Sequence, residues 1–171
     1  MEFFPWMAVA LEEARAAAAR GEVPVGAVVV DRASGRPLAR SGNRVRELAD
    51  PAAHAEILVI RAAAASLGVP RLTDCDLYVS LEPCAMCAGA IAQARLHGLY
   101  FGAYDPKGGG VEHGARVFGR STCNHVPHIT GGIRRSAAAA LLRDFFQARR
   151  SASGAGPDSA GGHAGGHDDS H

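Results

Sequence analysis

His54-Ala-Glu56 is followed, thirty positions after the histidine, by Cys84 within Pro83-Cys84-Ala-Met-Cys87. Two cysteines three apart in the first turn of a helix put both sulfurs on one face. The free N–H groups and the helix dipole at that end favour thiolate, the form that binds metal. One imidazole and two thiolates make a ligand set that suits zinc. Structural zinc sites are usually closed by four protein ligands; three leave a place for water, whose pKa zinc lowers from about 15.7 to about 7. Glu56, two residues beyond His54, could then move protons without binding the metal. Bland readings stand beside these. A Cys-x-x-Cys also suits a redox pair or half of a structural zinc site, and an acid at a helix start also suits the dipole. With His54 and Glu56 upstream and only isolated histidines downstream, a catalytic zinc is the stronger expectation.

Positioning these groups needs two helix starts that meet at one edge of a sheet, where α/β proteins place their sites. The hydrophobic periodicity supplies the elements. Residues 4–20 repeat apolar side chains at three- and four-residue steps and predict a helix that stops at Gly21. The β-branched run Val25 to Val30 predicts a buried strand, and Leu38 to Ser41 returns as its hairpin partner. Helices follow over 54–67 and from Cys84 to Leu96, with strands over 76–81 and 99–103. Residues 105–124 form a long loop carrying Gly108, Gly109 and Gly110, and such a loop tends to be functional. A short strand over 126–130 and a helix over 135–149 complete the order. Strands alternating with helices predict an α/β sheet covered on both faces.

The rest of the chain narrows the class. Of 171 residues, 47% are hydrophobic and 20% charged, as in ordinary globular domains. Residues 1–150 read as one domain. From Ser151 to His171 there is no large apolar side chain, so those residues are expected to be disordered, with His163, His167 and His171 in a solvated tail. All 18 basic residues but only 14 of the 17 acids lie in residues 1–150, leaving that part at +4, which permits a nucleic-acid partner without demanding one. Charges interrupt every apolar run, so no membrane span is expected. No secretion signal is evident, so Cys75, Cys84, Cys87 and Cys123 argue for metal or thiol chemistry rather than disulfides.

His-Ala-Glu followed by Pro-Cys-x-x-Cys is the signature of the cytidine-deaminase-like zinc deaminases, and the sequence resembles most closely the bacterial tRNA-specific adenosine deaminases. The resemblance covers nearly all of residues 4–150. It is carried by Glu22-Val-Pro-Val-Gly-Ala-Val28, His54-Ala-Glu-Ile57, Ser80-Leu-Glu-Pro-Cys-Ala-Met-Cys-Ala-Gly-Ala90, Asp105-Pro-Lys107 and Asp144-Phe-Phe146. It implies a three-layer α/β/α fold around a mixed five-stranded sheet. It also implies one zinc per subunit on His54, Cys84 and Cys87, with Glu56 carrying protons while hydroxide attacks C6 of adenine. Asn43 would hold the flipped nucleoside and Val25 would line the base pocket; Asp105, Lys107 and Asn124 would contact RNA near the target. Phe145, Phe146, Arg149 and Arg150 match a C-terminal helix that cradles a tRNA anticodon stem-loop by stacking and phosphate contacts. A cytoplasmic homodimer completes the implied picture.

Other readings stay open at this level. Asn43 equally suits a turn after Ser41-Gly42. Phe145 fits the core stripe of the last helix better than a base platform, and Arg149 and Arg150 suit a helix C-terminus. The loop Gly108 to Gly114 departs from the family pattern, bringing Glu112 and His113 towards the expected substrate rim, where an acid would repel phosphate. Two rival functions follow: the same chemistry on a free nucleobase or nucleoside, or a zinc-stapled RNA-binding module without catalysis.

Overall fold

A computed structural model describes residues 4–154. The elements are α1 (Trp6–Ala19), β1 (Gly26–Asp31), β2 (Arg36–Gly42), α2 (Ala55–Leu67), β3 (Cys75–Leu81), α3 (Ala85–Ala94), β4 (Gly98–Ala103), a single 3-10 turn (Val117–Gly119), β5 (His128–Thr130) and α4 (Arg135–Gly154). The five strands make one sheet in the order β2-β1-β3-β4-β5. β1 is antiparallel to both β2 and β3, whereas β3, β4 and β5 run parallel, so the sheet is mixed as expected.

Alternation along β1 builds the three layers, because successive side chains of a strand point to opposite faces. Ala27 and Val29 enter a core with Ala55, Val59 and Ala63 of α2 and Ala88 and Ile91 of α3. Val28 and Val30 enter the other core, against Met7, Ala10 and Leu11 of α1 and Ala138 of α4. The run Val28-Val-Val30 is apolar throughout because both faces are covered.

Two boundaries differ from the sequence expectation in ways that bear on function. His54 and Cys84 are not inside their helices but occupy the N-cap positions of α2 and α3, in extended conformation. α4 continues past Arg149 to Gly154, four residues into the stretch expected to lack structure. Alanine and short polar residues prolong that helix, and no glycine stops it before Gly154. The three tail histidines lie outside the described residues. Among the described residues, no helix is long and apolar enough to cross a membrane.

Candidate active site

The carboxyl end of β3 leads through Glu82 and Pro83 into the start of α3, and there it meets the start of α2. His54 turns Nδ1 towards both sulfurs, 3.7 Å from Cys84 Sγ and 3.5 Å from Cys87 Sγ. Three ligands arranged tetrahedrally at zinc's usual bond lengths stand about 3.6 Å apart, so the spacing present is that of a zinc triad. These three side chains are the single His, Cys or carboxylate group among the described residues whose donor atoms converge in this way, all within 4.8 Å of one another. All four cysteines are free thiols.

The charge pattern follows from the helix starts. The Cys84 thiol is held down to about 4, chiefly by a hydrogen bond from the Cys87 thiol, then by His54 and the Cys87 backbone N–H. The same bond and burial push Cys87 up, so the pair readily gives one thiolate. Contact with Cys84 raises His54. Glu56, on the first turn of α2, is 3% exposed, and burial pushes its carboxyl up to about 7. Its Oε2 has no hydrogen-bond partner in the protein. An unpaired buried carboxylate oxygen beside a metal-binding triad fits a group that works on a bound molecule.

His54, Cys84 and Glu56 open onto a cavity of about 460 Å³, with Cys87 buried behind them. Of the residues singled out in the sequence, His54, Glu56, Cys84, Val25, Asn43, Asp105 and Arg149 line it. Asn43 has a second task. Its side-chain oxygen accepts the N–H of Ala55 at 2.8 Å, capping α2 from the position just after β2 and fixing the turn that bears His54. The Asn43 amide group is therefore the end left for a cavity occupant. Asp105 accepts the N–H groups of Lys107 and Gly108, shaping the turn at the rim. Arg149 packs over the Phe145 ring, 4.8 Å from its centroid, and so reaches the rim.

The remaining candidate site residues named from the sequence lie outside the cavity lining. Asn124 is not at this rim; it lines a separate hollow against Gly89 and Gln93 of α3, where its carbonyl accepts a bond from Arg95. Lys107, Phe146 and Arg150 are exposed and do not line the cavity. Glu112 faces another hollow, with Phe118 and Val126, and His113 turns inward onto Glu82, so neither presents charge to the cavity.

Sequence reasoning missed the two buried acids that shape the cavity. Glu22, 3% exposed, accepts the backbone N–H groups of Arg46 and Glu47 and so pins the segment between β2 and α2. Glu82, 2% exposed, accepts the N–H of Glu112 and bonds His113, pinning the long loop. Both acids lie in blocks that carry the family resemblance, and that was the available signal. Only the fold shows that each pairs with loop backbone.

Comparison with known proteins decides the family. The MafB19-like deaminase model matches residues 1–150. A tRNA-specific adenosine deaminase of Agrobacterium fabrum is 56% identical over 145 residues, covering 85% of this chain and 94% of that protein. The chain belongs to this deaminase family. A tRNA-specific adenosine deaminase of Bacillus subtilis is 39% identical, with 85% of this chain and 89% of that one covered. Among solved structures, one from a study of A-to-I editing by tRNA:A34 deaminases at the wobble position of transfer RNA matches the deaminase with a TM-score of 0.78. It is 56% identical, covering 80% of this chain and 98% of its own. The guanine deaminase of Nitrosomonas europaea matches with a TM-score of 0.70 and 32% identity, covering 81% of each chain. The deaminase thus has the three-layer fold of its relatives, and its His-Cys-Cys group fits zinc.

Proposed function

We propose that this deaminase converts adenosine to inosine at the wobble position of tRNA, releasing ammonia, and that residues 1–150 are its catalytic domain. The observation that carries the reading is the three-ligand triad beside a buried, unpaired Glu56, in a chain 56% identical to a tRNA-specific adenosine deaminase. His54, Cys84 and Cys87 would hold one zinc per subunit. When bound, that ion supplies a hydroxide nucleophile at neutral pH. Glu56 accepts a proton from the attacking water and returns it to N1 of the ring. It then carries the second proton to the amino group, the C6–N bond breaks, and ammonia leaves as C6 becomes a carbonyl. Asn43 donates its amide N–H to the nucleoside, and Val25 packs against the base. The Asp105–Lys107 turn and the exposed Phe146, Arg149 and Arg150 of α4 meet the anticodon stem-loop.

A homodimer is the expected assembly. On α3, Ala85 and Met86 are exposed, and a side chain at Gly89 would meet open space, so this side of the helix has room for a second copy. Free thiols and a tRNA substrate fit a cytoplasmic protein.

The test is to incubate the zinc-loaded protein with an anticodon stem-loop carrying a wobble adenosine and to look for inosine, with guanine, cytosine and adenosine in parallel. Inosine in the RNA with little turnover of the free compounds supports the proposal. Turnover of a free base alone establishes the small-substrate reading, which the guanine deaminase likeness keeps as the rival. A protein that binds RNA and zinc yet releases no ammonia is the non-catalytic module.

A further inference from the structure

Two guanidinium groups meet at the mouth of the cavity. Arg46 Nη1 donates to the Gly21 carbonyl at 3.4 Å, and Arg149 Nη2 donates to the same oxygen at 3.5 Å. Both side chains line the cavity that holds His54 and Glu56. Their neighbours Arg20 and Arg44 each pair with Glu47, but among the described residues neither Arg46 nor Arg149 has a carboxylate within ion-pair reach. The nearest buried acid, Glu22, is occupied by the backbone N–H groups of Arg46 and Glu47. Two like charges converging on one carbonyl repel each other, and among the described residues no carboxylate pairs with either guanidinium.

We propose that Arg46 and Arg149 form one phosphate clamp, which takes the phosphodiester adjoining the nucleoside in the cavity. The proposal rests on the RNA reading above and extends it by assigning Arg46, a residue from the β2–α2 segment, to substrate selection. Guanidinium is the suited group, since its planar donors match phosphate oxygens in pairs. Both arms are already placed, so little ordering remains for binding. Glu22 fixes the Arg46 backbone, Gly21 holds its head, and the Phe145 ring supports Arg149. A free nucleobase or nucleoside carries no phosphodiester. The clamp therefore favours a polynucleotide over those compounds through KM.

The experiment compares the zinc-loaded wild type with Arg46→Gln, Arg149→Gln, the double variant and Arg46→Lys. The substrates are the wobble-adenosine stem-loop and the same RNA bearing one neutral methylphosphonate on either side of the target. KM, kcat and their salt dependence are measured, together with fluorescence-anisotropy binding of the RNA and the melting temperature. Each Gln variant is expected to raise KM roughly tenfold, the loss of one charge-assisted bond, with kcat changed far less. The slope of log affinity against log salt should fall by about one phosphate. One of the two methylphosphonates should weaken binding to the wild type by a similar factor and to the double variant not at all. Arg46→Lys should keep the salt slope while recovering part of KM. Unchanged KM and salt slope in the Gln variants overturn the clamp, as does a methylphosphonate penalty that persists in the double variant. A lowered melting temperature with normal RNA binding also overturns it, making the two arginines mere caps of the α1 carboxyl end. If the wild type turns over only free bases, the clamp and the tRNA reading fail together. If RNA is edited and the variants behave as wild type, the clamp alone fails.

Discussion

The inner wall of the cavity and its outer rim are built in different ways. His54, Glu56, Cys84 and Cys87 all stand at the N-cap or first turn of α2 or α3 and are buried or half-buried. Those helices are anchored on the sheet by one continuous apolar core, so the reacting groups cannot drift apart. The rim is assembled from Arg46 before α2, Asp105 after β4 and Arg149 towards the end of α4, with exposed or half-buried side chains held by one or two contacts each. The proposed chemistry thus sits on rigid elements and the proposed recognition on loops and a terminal helix. Change at the rim can therefore redirect the enzyme while the inner wall stays intact.

The harshest way to break the comparison is to attack the inner wall. Cys87→Ser replaces a fully buried sulfur by a poorer metal ligand. Zinc content measured by elemental analysis should fall to a small fraction of one per chain, and inosine formation should become undetectable. Retained zinc and turnover would mean that the triad is not the metal site.

Glu56→Gln separates chemistry from stability. Turnover should drop by a factor of about 10²–10⁴, the usual worth of a positioned proton carrier, while zinc stays bound. Stability should move the other way. The carboxyl ionises near 4.5 in a model peptide and at about 7 in the fold, where burial opposes its charge. Between those values the folded protein binds more protons than the unfolded chain, so stability falls as pH rises through that window, by about 3 kcal/mol at most. Gln carries no charge to bury. In chelator-treated protein, urea unfolding at pH 8 should therefore show Glu56→Gln as the more stable form, with the gap closing by pH 4. Equal stability at both values would show that Glu56 is not strained by burial.

The same division explains what could be read from the sequence. His54, Glu56, Cys84 and Cys87 declare themselves through spacings of two and three, because one helical turn converts such a spacing into a shared face. The Val28-Val-Val30 run and the alternation of helix and strand were legible for a similar local reason. Glu22 and Glu82 showed only as members of family blocks and Arg46 not at all, since their partners stand 24 or more positions away. Asn43 read equally as turn former or ligand because its actual cap partner, Ala55, belongs to the next helix. Asn124 lies apart from the cavity, where its carbonyl accepts a bond from Arg95, a partner 29 positions away that its sequence neighbours do not reveal.

Gly110 marks where the two regions touch, and its substitution sharpens the contrast. Its N–H bonds the Pro83 carbonyl, and a Cβ there would come within 2.5 Å of the Ala85 nitrogen at the start of α3. Gly110→Ala must push either the long loop or the turn bearing Cys84. A loss of about 1–3 kcal/mol in stability is expected from such overpacking. Zinc affinity should weaken about tenfold or more, as when a support of a metal ligand is removed. A variant with wild-type zinc affinity and lower stability would locate the damage in the loop alone.

The mildest intervention is at the far end of α4, where two adjacent rings differ in what they touch. Phe145 is half-buried and carries Arg149 on its face, whereas Phe146 is 42% exposed and meets Phe145 edge-to-face. If Phe146 serves as a platform for an RNA base, Phe146→Ala should raise KM for the stem-loop about five- to tenfold, the lower range for one lost stacking contact. Its melting temperature should barely change, because little apolar surface is uncovered. Phe145→Ala should lower the melting temperature and also raise KM, since Arg149 loses its support. A Phe146→Ala enzyme with unchanged KM would leave base stacking to some other group and reduce α4 to an arm that delivers Arg149.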